Sequence, residues 1–153
     1  NSAPSLFAQM FDDAEVVNTT SRAPAFDTNL VDLMLLASEP TTADDAAAAI
    51  RKLIARLQSE TGEPIHPNDL RLMSSVGIEV FRLCGNSAAL QTATLEFVRA
   101  LADYPALSDD DLHRVVKTCK GVTLETKYFW IAATALEIMD KALSLLHDRR
   151  YSG

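Results

Sequence analysis

Three histidines, two cysteines and a run of aspartates are the side chains whose spacing could support chemistry in this chain. Glu63-x-x-His66 has the spacing that carboxylate-bridged di-iron bundles use on a helix, where the pair must occur twice with two further glutamates. Pro64 and Pro67 remove it from any helix interior, and no second Glu-x-x-His exists. Asp110-x-x-His113 does fall at a helical offset, but at the start of a helix, where it reads as a local contact between neighbouring turns. A cysteine nucleophile needs a histidine within hydrogen-bond reach and a lowered pKa. His113 and Cys119 lie six residues apart on one helix and face different ways, while Cys84 could meet His66 or His147 only through the fold. Asp109 to Asp111 lack the alternating acids, central glycine and closing glutamate of a calcium loop, and instead mark a helix start. With no phosphate-binding loop either, no catalytic residue, metal or cofactor is expected, and the chain reads as a non-enzyme.

The elements that would position any site are helices. Gly62, Gly85 and Gly121 each follow an apolar run with helical spacing, where glycine commonly ends a helix at positive φ. Ser, Thr, Asn or Asp then opens the next run. Leu6, Phe7, Met10, Phe11 and Ala14 outline a short first helix, and Asn18 to Pro24 a linker. A second helix runs from Asp27 or Thr28 to about Ser38, apolar on nearly every side through Leu30, Val31, Leu33, Met34, Leu35 and Leu36. A third starts at Thr42, with Ile50, Leu53, Ile54 and Leu57 as its buried stripe. The fourth begins at Pro67 or Asn68, and its mid-helix Gly77 predicts a close crossing or a kink. Ser87 opens the fifth, and Ser108 a short sixth that stops at Gly121. The seventh, from Thr123, is the longest and is expected to organise the fold. It runs through Tyr128, Phe129, Ile131, Ala132, Ala135, Leu136, Met139, Leu143 and Leu146, with Trp130 next to the seam or exposed.

Short connections predict antiparallel neighbours. The expected fold is therefore all-α, six to seven helices in an antiparallel helical bundle or a short helical array. Gly85-Asn86-Ser87 leading into Leu95-Glu96-Phe97, inside the hairpin-length segment Asn68 to Asp103, is faintly similar to a unit of armadillo or HEAT arrays. The similarity covers that one hairpin, and no second copy matches it. Residues 1–26 are expected to form an acidic helix-and-linker arm, and 27–153 a helical domain.

Length and composition agree with this reading. A chain of 153 residues suits one domain that buries about 70% of its unfolded surface. At 48% hydrophobic and 23% charged it is too apolar for a disordered chain. The net charge is −7, and residues 1–45 carry all of it through eight acids and one base. That balance opposes a nucleic-acid partner, which needs clustered Lys and Arg with interleaved aromatics. It permits a basic protein partner. No stretch approaches 18 uninterrupted apolar residues, so no membrane span is expected. Cys84 and Cys119 both fall on apolar stripes and suit a cytoplasmic, reducing setting. Asn18-Thr19-Thr20 matches the glycosylation sequon, and the chain begins with Asn1, as a fragment or processed chain would.

The remaining candidates are apolar side chains surplus to one core. Leu35 and Leu36 sit on the all-round apolar helix, and Tyr128, Phe129 and Trp130 are consecutive, so a helix cannot turn all three inward. Exposed apolar patches mark interaction surfaces. The expected function is a protein-protein interaction module (adaptor, scaffold or regulatory domain) that holds a partner helix or peptide in a hydrophobic groove. Its expected contact residues are Leu35, Leu36, Tyr128 and Trp130, with Arg149 and Arg150 as rim charges. The alternatives are a homodimer formed through the second helix, and an enzyme or small-ligand protein without a recognisable motif.

Overall fold

A computed structural model of the chain describes residues 43–151. They form five helices and no strand: α1 Ala43–Gln58, α2 Pro67–Leu83, α3 Ala88–Asp103, α4 Asp109–Glu125 and α5 Phe129–Tyr151. The first two expected helices, the arm at 1–26 and its boundary with the domain, and the candidates Leu35 and Leu36 lie outside the described residues.

Local chemistry sets most of the boundaries. The His66 ring starts α2, its Nδ1 accepting from Asn68 N–H at 3.1 Å, with Pro67 at the first helical position. Ser87 and Ser108 cap α3 and α4, their hydroxyls accepting from Leu90 N–H at 3.2 Å and Asp111 N–H at 3.1 Å. Gly85, just after α2, has φ +55°, the only positive φ among the described residues. Any side chain there would be strained.

Gly121 departs from the expectation. It lies inside α4, which continues to Glu125, so the sixth expected helix is longer than its glycine suggested and the seventh starts later than Thr123. A Cβ on Gly121 would stand 2.6 Å from Ile78 Cδ1. This glycine serves the approach of α2, not a helix end. The break falls at Thr126, whose extended backbone lets its N–H reach Val122 O while its hydroxyl accepts from Tyr128 N–H at 3.2 Å.

Cross-helix pairs fix the directions. Between α2 and α4, Ser74 meets Asp111, Gly77 faces Thr118, Ile78 meets Gly121 and Arg82 pairs with Glu125, so the two helices run parallel. Between α3 and α5, Arg99 pairs with Glu137 and Asp103 with Lys141, again in parallel. Short turns make α2–α3 and α4–α5 antiparallel hairpins. The first hairpin thus stacks on the second with like helices side by side. α1 lies along α3 alone among the described helices. Ile65 N–H donates to the Tyr104 hydroxyl at 2.9 Å, which brings the segment after α1 to the C-terminal end of α3.

α3 touches all four of the other described helices and is the central one. That role was expected of the longest helix, but among the described helices α5 sits at the edge, bordered by α3 and α4 alone. The core is built from residues such as Ile50, Met73, Phe97, Leu101, Leu112 and Ile138, all but sealed from solvent. At Gly77 the α2–α4 crossing is close: an added Cβ would lie 3.0 Å from Thr118 Cγ2, and Thr118 is buried. Gly77→Val is therefore expected to cost about 1–3 kcal/mol through overpacking despite valine's better helix propensity. A denaturant midpoint unchanged or raised in that variant would show that the crossing has slack.

Candidate interaction surface

The residues of α5 divide into two stripes offset by about 130° around the helix. Ile131, Ala135, Ile138 and Ala142 face the core and are buried. Their neighbours Phe129, Leu136 and Leu143, each seven residues on from the last, are 82%, 49% and 45% exposed. Ala132, Met139 and Leu146 lie between the two stripes and are half-buried. Seven-residue spacing at about 1.5 Å per residue extends the exposed row over roughly 21 Å. An edge helix with a second apolar stripe needs a covering surface that the described residues do not supply.

α4 carries a different stripe beside it. His113, Lys117, Lys120 and Leu124 recur at steps of four and three, all exposed, and Lys127 follows the helix end. Leu124 is 85% exposed. Val116 and Thr123, half-buried, fill the groove between this stripe and α5. The outer side of the α4–α5 hairpin is thus a greasy row along α5 with a basic row along α4. Asp140 and His147 stand on the far flank of the greasy row.

The start of α5 is held in place by a hydrogen-bonded clasp. Gln91 Nε2 donates to Gly85 O at 2.8 Å, and Thr126 Oγ1 donates to Gln91 Oε1 at 2.8 Å. Tyr128 Oη donates to Asn86 O at 2.6 Å. The clasp ties the α4–α5 connection to the α2–α3 turn, so the ring cluster that follows has a firm base. Within it, the Trp130 ring lies 4.8 Å from Tyr128 and edge-on to Phe129 at 5.7 Å. Alongside, Arg82 and Glu125 share hydrogen bonds of 3.0–3.2 Å, which hold the Glu125 carboxyl below its usual range. The pair is exposed, so it orients the helix ends and stabilises them little.

Of the residues singled out from sequence, Trp130 is 47% exposed beside the greasy row, and Tyr128 is half-buried as part of the clasp. Arg149 is occupied within the fold, donating to Leu107 O at 2.7 Å and pairing with Asp109 at 2.9 Å. Arg150 is exposed and stacks over Tyr151. Phe129, Leu136 and Leu143, named from sequence only as apolar members of the last helix, are exposed, and Lys120 and Leu124 join them.

The chemistry-bearing residues do not converge. Cys84 is buried with its sulfur 3.3 Å from the Thr94 hydroxyl, and burial pushes its thiol up. Burial pushes the Cys119 thiol up to about 12. Both are therefore protonated near neutrality and packed as small hydrophobes. Among the described residues no group of three His, Cys, Asp or Glu side chains could hold a metal ion. A depression of about 380 Å³ between the starts of α2 and α4 is lined by Arg71, Asp110 and Arg114. Arg114 is already tied to the buried Asp111, which also accepts from the Ser74 hydroxyl. Among the described residues no helix is long and apolar enough to cross a membrane. Compared with known families, with curated proteins and with solved structures, the chain matches none.

Proposed function

We propose that this protein is a protein-binding module that uses the outer side of the α4–α5 hairpin as its docking surface. The observation that carries the reading is the second stripe of α5: Phe129, Leu136 and Leu143 stay exposed while the adjacent stripe supplies the core. Their cover by a partner helix would remove apolar surface at about 25 cal/mol per Å². Trp130 supplies an aromatic anchor of the kind that concentrates binding energy.

The arrangement of the hairpins supports a short helical array in preference to a closed bundle. The two hairpins stack with like helices parallel, and α1 lies along α3, so that α1, α3 and α5 form one row and α2 and α4 the other. In such arrays each unit covers its neighbour, and a closing unit ordinarily presents a polar outer side. Here one stripe of the outer side of α5, Phe129, Leu136 and Leu143, is apolar, which fits a surface kept for contact. The buried free thiols suit a reducing intracellular compartment. Catalysis has less support, because the titratable groups that could serve it are dispersed or buried.

The double variant Leu136→Asp/Leu143→Asp tests the reading. It is expected to lose capture of the wild-type chain's partner while its melting temperature is unchanged. Retention of the partner by the double variant would remove this face from consideration. Sedimentation at micromolar concentration separates self-association: a dimer dissolved by the same substitutions would favour the homodimer.

A further inference from the structure

Five of the thirteen Lys and Arg side chains among the described residues have a carboxylate partner: Arg82, Arg99, Arg114, Lys141 and Arg149. Lys117, Lys120 and Lys127 are three of the eight that have none, with Arg51, Lys52, Arg56, Arg71 and Arg150, although the chain as a whole is acidic at −7. These three lysines lie along the α4 side of the greasy row, and Lys127 rests 5.6 Å from the Tyr128 ring centre. An apolar row of heptad spacing, bordered on one side by unpaired cations, is complementary to a helix with apolar a and d positions and an acidic flank.

Resting on the function proposed above, we infer that the outer side of α4–α5 takes an amphipathic helix with an acidic flank, laid along α5 where the next helix of the α1–α3–α5 row would stand. Phe129, Leu136 and Leu143 receive its apolar face, and Lys117, Lys120 and Lys127 meet its carboxylates. The row sets the direction of the docked helix, and the lysines select its charge. Net charge alone predicts the opposite preference, because a chain at −7 attracts basic ligands. The sign of the preference therefore separates local recognition from the general field.

The test uses the full chain and two labelled three-heptad helical peptides with leucine at a and d. One carries glutamate at its flanking positions and the other lysine. Fluorescence anisotropy is expected to show the glutamate peptide binding at least about tenfold more tightly, equivalent to about 1.4 kcal/mol. The preference should shrink with added salt, since the pairs are exposed. It should vanish in Lys117→Glu/Lys120→Glu/Lys127→Glu, while Leu136→Asp/Leu143→Asp should weaken both peptides. Equal affinities, or a preference for the lysine peptide, would overturn the acidic-helix inference and leave the docking surface standing. Binding of neither peptide would count against both, and a dimer of the chain that buries this face would make the occupant a second copy.

Discussion

Phe97→Ala is expected to destabilise the protein by about 3–5 kcal/mol, enough to leave many domains of this size largely unfolded at physiological temperature. Among the described residues Phe97 is the largest of the fully buried side chains, and it lies on α3, which touches all four of the other described helices. Truncation there removes contacts to several elements at once, and the surrounding helices, pinned by their own pairs, can collapse only partly into the gap. Phe129→Ala is the control. That ring is 82% exposed, so its loss should stay within about 0.5 kcal/mol. Urea or guanidinium unfolding of both variants reads the difference directly. A cost below about 1 kcal/mol for Phe97→Ala would mean that α3 is not the centre of the core.

The second large effect separates the two stripes of α5 by a single residue step. Ala142→Asp places a carboxylate at a fully buried position and should cost about 3–5 kcal/mol or prevent folding altogether. Leu143→Asp, one position further along, places the same group at a site 45% exposed and should change stability by no more than about 0.5 kcal/mol. The comparison holds chemistry and helix constant and changes only the direction of the side chain. If Leu143→Asp proved as damaging as Ala142→Asp, the exposed row would be part of a core, and the docking surface would be lost with it.

The candidate surface was only half legible in the sequence because α5 has apolar residues on two sides. Read by spacing, Phe129, Leu136 and Leu143 fit an inward stripe as well as Ile131, Ala135, Ile138 and Ala142 do, and they are the larger side chains. Burial nevertheless goes to the set containing the alanines. Small residues let α5 lie close against its neighbours, and close approach leaves no room for leucine on that side. The order of sizes thus inverted the naive assignment. The three lysines of α4 are ordinary surface charges in the sequence. Their significance comes from lying beside that row without partners, a relation between two helices that no single-helix pattern contains.

Glycine shows the same division at the level of local structure. Gly85 takes φ +55° at the end of α2, as a residue after an apolar run should. Gly121, in an equally suggestive place, is packed against Ile78 in the middle of α4. Local sequence supplies both with the same appearance, and only the helix lying across Gly121 tells them apart.

The sequence by itself determined the helical class of the described residues, the serine caps of α3 and α4, the start of α2 at Pro67 and the burial of both cysteines. These depend on hydrogen bonds and apolar periodicity within about one or two turns, which any reader of the chain can follow. Tertiary structure alone decided that α3 is central and α5 lateral, that the two hairpins stack with like helices parallel, that Arg149 closes the fold at Leu107 and Asp109, and which stripe of α5 is left open. Each of those outcomes depends on pairs of residues distant in sequence, such as Ser74 with Asp111 or Arg99 with Glu137, competing for the same covering surface. That competition is settled by shape and volume across helices, and spacing along one helix does not encode it.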